Sequence, residues 1–347
     1  MSMLVENHTR SEWLGKIKKY MPLTLINVKQ GFCGVRTYYN SIIDALNMNN
    51  YLYYTKEIKK IEYHLRKKLI GGVMSIAFQS YFTGFDKPLH VSDPQIPIKN
   101  SEFLSVHDLL PLKTWDSITR KMFIKSIESS KNIAVLSNTI KNTLIDEMNI
   151  EESKITLIPP AIDSKNFYPD YSFNPYPKDN KFHLITVGDF NPRKRFDKLY
   201  QLVSNFNNIE LYHYGRFNNW TYRGKKLLKQ YPKIHFIENA PIPILRNAYS
   251  FADAFIYISD FEGFGLTTLE AMSTGTKVIV NNIPIFKETM NGYANYLTDN
   301  TNEDIELIQK VLNKKQSKYA LIQYTEKYSL KNFGKNLIKW YENETIH

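Results

Sequence analysis

Two acids and a short run of bases carry most of the chemistry legible in this chain. Glu262 and Glu270 stand eight positions apart in DFEGFGLTTLEAM, on either side of Gly263, Phe264 and Gly265. The apolar run AFIYIS precedes them and LTTLEAM has helical period. Glu262 therefore falls in a strand-to-helix loop, and Glu270 about one and a half turns into the helix. Glycine lets backbone approach a ligand closely. The helix start around Gly265, Leu266 and Thr267 offers unpaired N–H groups and the positive end of the helix dipole, a seat for phosphate. A carboxylate accepts hydrogen bonds from several hydroxyls at once. The set suits a diphosphate flanked by a sugar at each end. A plain surface turn with solvated acids has the same two glutamates, so other positions must decide.

Arg193, Lys194 and Arg195 form such a position, in NPRKR after the apolar run FHLITVG. A cation aimed at a diphosphate neutralises the charge that builds on a departing phosphate. His107 and Asp108 end the apolar run FLSV, and strand ends are where α/β sheets bind ligands. In QGFCGV two glycines precede a helical stretch, and Gly34 is the candidate for bringing backbone N–H groups to the diphosphate. No Asp-x-Asp triplet and no His/Asp/Glu cluster with metal-ligand spacing occurs, so neither a metal nor another cofactor is expected. The single cysteine, Cys33, excludes an internal disulfide framework and a cysteine-rich zinc site.

These residues need elements to hold them. Short β-branched runs alternate with longer segments of helical period, the pattern of α/β domains with parallel sheets. LTLINV, VMSIAF, PLHVSD, FLSV, IAVLS and KITLIP are the strands of a first series, with helices after QGFCG, from Trp115 and from Asn138. FHLITVG, IELYHYG, IHFIE, AFIYIS and KVIVNN make a second series. Between them, residues 164–180 are rich in Pro, Asn and Tyr and read as a linker. The expected division is an N-terminal Rossmann-like acceptor domain over 1–165, a C-terminal Rossmann-like donor domain over 166–325, and a last helix, 326–347, crossing back to the first. A deep cleft between the two domains is the expected ligand site.

The formal net charge of +11 favours an anionic partner: nucleotide phosphates, an acidic membrane surface or nucleic acid. There is no run of eighteen apolar residues and no signal-like apolar core at the N-terminus, so a cytoplasmic protein is expected.

YISDFEGFGLTTLEAMSTGTKVIVNN resembles the E-x7-E segment of the retaining nucleotide-sugar glycosyltransferases of family 4, which have the GT-B fold. SVHDLLPL is similar to their His-Asp turn, TVGDFNPRKRFDKL to their donor-phosphate lysine loop, and LRNAYSFADAFIYIS to the helix and strand before the acidic loop. The likeness runs from about residue 85 to 345 with the motifs in order, and is strongest in the second half.

That resemblance implies an enzyme that moves a hexose-type sugar from a nucleotide-diphosphate sugar to a lipid, glycan or protein acceptor, with retention and without metal. It assigns Glu262 to the donor sugar and Glu270 to the nucleotide ribose. The backbone around Gly265, Leu266 and Thr267 would cradle the distal phosphate, with Gly263 and Phe264 also binding the donor. Lys194, with Arg193 beside it, would meet the diphosphate, and His107 the reacting region. One position departs from the pattern: Asp189 follows Gly188 where many relatives carry a base. SEWLGKIKKYM and, more weakly, TRKMFIKSIESSK are basic amphipathic stretches that would let the protein lie peripherally on an anionic membrane and meet a lipid-linked acceptor. Trp340 and Tyr341 in the last helix read as packing residues. Competing readings are an epimerase or hydrolase of nucleotide sugars on the same scaffold, and a glycosyltransferase acting on DNA, with nucleic acid the less favoured partner. Salt-dependent duplex binding would mark the latter.

Overall fold

The computed structural model describes residues 23–29, 34–51, 53–59, 89–91, 101–110, 112, 117–216 and 221–345. The basic helix expected over 11–21, the strand expected at 73–78, Gly31 to Cys33 and Trp115 lie outside the described residues. The chain divides into two compact units, Met1–Ala161 with Leu330–His347, and Ile162–Ser329.

The first unit is built on a parallel sheet of β1 (Leu23–Lys29), β2 (Tyr53–Lys59), β3 (Leu89–Val91), β4 (Phe103–Val106), β5 (Asn132–Val135) and β6 (Ile155–Leu157), in the order β2-β1-β3-β4-β5-β6. Its described helices are α1 (Gly34–Met48), α2 (Ser117–Ser129), α3 (Asn138–Met148) and the last helix, α11 (Leu330–Thr345). Helical spacing sets the buried faces: Tyr38, Ile42, Ala45 and Leu46 in α1, and Phe333, Leu337, Trp340 and Tyr341 in α11. Strand β2 is absent from the sequence expectation because its Lys and Glu residues hide the β-branched signal. Ser137 caps α3 by accepting from the Ile140 N–H at 3.2 Å.

One buried histidine ties α11 to the sheet. His90 Nδ1 lies 2.6 Å from the Tyr341 hydroxyl and Nε2 lies 2.8 Å from the Ser105 hydroxyl. Burial, with a smaller contribution from His107, pushes the His90 pKa down to about 3, so the ring is neutral and each nitrogen takes one partner. Trp340 and Tyr341 also meet Phe103 edge-on at 4.8 and 5.0 Å. Both residues are core.

The second unit holds β7 (Phe182–Val187), β8 (Ile209–Gly215), β9 (Ile234–Glu238), β10 (Ala254–Tyr257), β11 (Val278–Asn281) and β12 (Asn295–Leu297). Their order is β12-β11-β10-β7-β8-β9, all pairs parallel. The chain thus leaves β7 toward one edge through β8 and β9, and returns to its other side at β10. This reversal between β7 and β10 opens a crevice at their carboxyl ends, where such sheets bind ligands. Helices α4 (Phe196–Ser204), α5 (Thr221–Leu228), α6 (Ile242–Phe251), α7 (Leu266–Ser273), α8 (Pro284–Met290), α9 (Thr301–Asn313) and α10 (Lys318–Thr325) flank the sheet. Leu184, Leu211, Ile256 and Ile279 of the sheet form one core with Leu199 and Ile308.

Residues 164–180 contain no helix or strand, yet they are more than a loose connection. Arg246 grips Asp170 at 2.8 Å, Asn247 accepts from the Phe173 N–H at 2.9 Å, and the buried Tyr176 donates to the Ala248 carbonyl at 2.7 Å while stacking on His183. Composition marks the missing period of this segment but not the side chains that fasten it.

Candidate active site

The two loops that carry the candidate residues follow neighbouring strands and are stitched together. After β7 the chain runs through Gly188 and Asp189 into a single 3-10 turn, Pro192–Lys194, capped by Asn191. After β10 it runs through Ser259, Asp260 and Glu262 to Gly265 and α7. The Asp260 N–H donates to the Arg193 carbonyl at 2.7 Å, and Arg193 Nη1 donates to the Phe261 carbonyl at 2.5 Å. Asn281, at the end of β11, holds Ser259 from both sides: its carbonyl accepts from the Ser259 N–H at 3.0 Å and its amide donates to the Ser259 carbonyl at 2.9 Å.

Glu262 sits inside this frame with little solvent contact. Its Oε1 accepts from Arg193 Nη1 at 2.6 Å and from the Tyr257 hydroxyl at 2.8 Å. Burial alone would push the carboxyl upward, but Arg193, Lys194 and these donors outweigh it and hold Glu262 below its ordinary value. It is a carboxylate at neutral pH. Arg193 is thus turned onto the glutamate, a geometry the sequence does not disclose; a basic loop in solvent would leave it pointing outward.

Lys194 is half-buried, and its Nζ lies over Gly188: a Cβ on that glycine would stand 2.6 Å from it. A side chain at 188 would therefore displace the ammonium. The ammonium also lies 5.6 Å from the centroid of the Tyr257 ring. Burial lowers its pKa, with Glu262 and Asp189 opposing and Arg193 and Arg216 adding to the shift. A desolvated cation at a strand end is a strong attractor for an anion.

Asp189, which stands next to Gly188, is itself paired. Arg216, at the end of β8, donates to it from the backbone N–H at 3.1 Å, from Nε at 3.3 Å and from Nη2 at 3.0 Å. Below it, burial first and the Lys194 charge second lower His213 to about 3, against an upward pull from the Gly188 carbonyl. That carbonyl, 2.6 Å away, requires Nε2 to be the protonated nitrogen, so Nδ1 accepts from Tyr200.

Gly265 opens α7 in the left-handed region, φ 87°, and an added Cβ would come 2.9 Å from the Phe286 ring. Only glycine fits both constraints. Leu266 and Thr267 are the first two helical residues, so their N–H groups lack intrahelical partners by position. Gly263 precedes them in the loop, while Phe264 is buried, 5.4 Å from the Tyr328 ring, and presents backbone alone to a ligand.

Glu270 follows one turn later, half-buried. Burial, then the nearby Asp163 charge, push its carboxyl up to about 7, with Tyr249 partly opposing. A carboxyl whose folded pKa is raised contributes stability that is full below its unfolded pKa and is lost as pH rises through about 7. Glu270→Gln is therefore expected to melt above the wild type at pH 8 and to lose that advantage at pH 5; parallel melting curves across that range would contradict it.

The structure brings Glu262, Arg193, Lys194, Gly263, Gly265, Leu266, Thr267 and Glu270 into the second unit around the β7–β10 crevice. His107 and Gly34 belong to the first unit. His107 follows β4 with its ring edge-on to Tyr38 at 4.5 Å, and Gly34 is the first residue of α1. Tyr257, Ser259, Asn281 and Arg216 were not legible as site residues. Tyr257 reads as strand core, and the other three are defined by partners on different strands.

The two parallel α/β units have the architecture of the GT-B fold. Residues 169–328 match the family described as glycosyl transferases group 1. The O-antigen chain mannosyltransferase RfbU of Salmonella typhimurium is 25% identical over 258 residues, covering 71% of this chain and 70% of that protein. Among solved structures, a sucrose-phosphate synthase from Thermosynechococcus elongatus aligns with a TM-score of 0.71 at 18% identity, over 94% of this chain and 96% of that one. Anabaena HepE in complex with UDP and glucose aligns with a TM-score of 0.68 at 9% identity, over 92% and 98%. Together the family match and the mannosyltransferase relative support a hexosyltransferase.

Proposed function

We propose that this chain is a retaining family 4 enzyme that transfers a mannosyl residue from a nucleoside diphosphate to a hydroxyl of a lipid-linked glycan. The observation that carries the reading is the carboxylate of Glu262 held beside Lys194 at the β7–β10 reversal, next to the left-handed Gly265 that opens α7. Mannose rests on the likeness to RfbU, and the nucleotide donor on the likeness to a fold that holds UDP in HepE.

In this reading Glu262 accepts hydrogen bonds from the sugar hydroxyls and fixes the anomeric carbon. Lys194 and the first-turn amides of Leu266 and Thr267 take the diphosphate, and Glu270 takes the ribose. The bond from the anomeric carbon to the phosphate oxygen breaks, and the nucleoside diphosphate leaves with its electron pair. The acceptor oxygen bonds to the same face of that carbon, and its proton passes to the departing phosphate. Positive charge preorganised at Lys194 is stronger on the leaving group than on the intact donor, which is how it accelerates the step. No metal is needed in this scheme, since these groups meet the diphosphate charge. The resemblance also gives His107 a role on the donor sugar and Gly34 one on the diphosphate.

Work at the cytoplasmic face of a membrane fits a lipid-linked acceptor. Among the described residues no helix is long and apolar enough to cross a bilayer.

The reading is tested with GDP-mannose, UDP-glucose and ADP-glucose, by thermal shift and by release of nucleoside diphosphate with and without a glycolipid acceptor, in the presence of a chelator. GDP-mannose is expected to stabilise most and to be consumed only when acceptor is present. Consumption without acceptor would support the hydrolase or epimerase instead, and stabilisation by none of the three would contradict the reading.

A further inference from the structure

Tyr257 is the last residue of β10, and its ring is held on several sides. It is 1% exposed, lies parallel to Phe255 at 5.8 Å and meets Phe286 edge-on at 6.2 Å. A buried phenol needs one hydrogen-bond partner, and any backbone carbonyl would satisfy it. Here the hydroxyl instead donates to Glu262 Oε1 at 2.8 Å, while the ring stands 5.6 Å from Lys194 Nζ. One side chain from the sheet therefore touches both charged groups of the site, through different atoms.

We propose that Tyr257 is a positioning residue that holds the Glu262 carboxylate by its hydroxyl and the Lys194 ammonium by its ring, so that both are set before the donor arrives. This rests on the reading of the site as a nucleotide-sugar seat.

The neutral character of this donor is what distinguishes it from Arg193, which binds the same oxygen at 2.6 Å. An incoming diphosphate attracts the guanidinium and competes with Glu262 for it. A phenol carries no charge and is not drawn away, so Glu262 keeps one fixed donor while the anion binds. Two donors, Arg193 and Tyr257, converge on Oε1. Packing against Phe286 links the arrangement to the phosphate seat, because the same ring bars any side chain at Gly265. Rotamers locked by packing are what a preorganised site requires.

Tyr257→Phe removes one oxygen and keeps the ring; Tyr257→Leu removes the ring as well. For Tyr257→Phe, kcat is expected to fall ~10-fold, the equivalent of one hydrogen bond to a charged group. The donor KM stays near that of the wild type and the melting temperature changes little. Losing a donor to the ionised form also moves the acid limb of the kcat profile to higher pH. Tyr257→Leu, which frees Lys194 too, is expected to be slower again.

A second readout does not depend on turnover. The Glu262 carboxyl, followed by carbon NMR with pH and assigned through Glu262→Gln, is expected to titrate higher in Tyr257→Phe than in the wild type. An unshifted carboxyl, or a kcat loss that merely tracks a lower melting temperature, overturns the positioning role. A shifted carboxyl in an enzyme that consumes no nucleotide sugar would instead uphold the contact and overturn the reading of the site.

Discussion

Lys194→Ala lowers turnover of the nucleotide sugar by ~10²–10³-fold, the loss typical of removing one preorganised charge from a developing anion. The expectation follows from where the ammonium sits. Lys194 Nζ lies over Gly188, half-buried, with no hydrogen-bond partner among the described residues, and burial disfavours its charge. Attraction to Glu262 and Asp189 only partly offsets that burial, and alanine removes no hydrogen bond, so the melting temperature is expected to hold or rise slightly. Steady-state kinetics with calorimetric melting checks both halves. A variant that turns over normally would remove Lys194 from the mechanism; one that melts far below the wild type would make it structural.

Glu262→Ala behaves differently, because Glu262 is part of the frame as well as of the site. Its Arg193 partner is 24% exposed and Glu262 itself 13%, so the pair is largely out of water. Truncating Glu262 takes the carboxylate from Arg193 and leaves it the Phe261 carbonyl, at a cost on the order of 3 kcal/mol. Turnover is expected to fall by ~10²-fold or more, since the sugar loses its anchor near the reacting carbon. The pH dependence follows from the sign of the shift: a carboxyl held below its ordinary value contributes stability that is present above the unfolded pKa and is lost as pH falls through the folded one. The wild type should thus lose its advantage over Glu262→Ala in acid. Equal stability of the two proteins at pH 7 would show that Arg193 has another adequate partner.

The loops were legible in the sequence and the contacts across them were not. Glycines at 263 and 265 beside an apolar run and a helical run locate a strand-to-helix seat, because backbone conformation there is a property of a few consecutive residues. NPRKR likewise announces a cationic strand end. Which way Arg193 turns is decided by Glu262, sixty-nine residues on, and Arg216 is paired to Asp189 across a strand neighbour. Tyr257 carries the apolar signal of a strand interior, and its hydroxyl gains meaning only beside a carboxylate that the loop folds back. The fastening of segment 164–180 was missed for a related reason: its side chains are explained by partners distant in the chain.

The central claim is that the second unit holds a diphosphate through Lys194. Isothermal titration with GDP and GMP, on the wild type and on Lys194→Ala, tests it without knowledge of the acceptor. The account predicts that the wild type binds GDP well above GMP and that Lys194→Ala erases most of the difference. Equal affinity for the two nucleotides, or a preference for GDP that survives in Lys194→Ala, would contradict it.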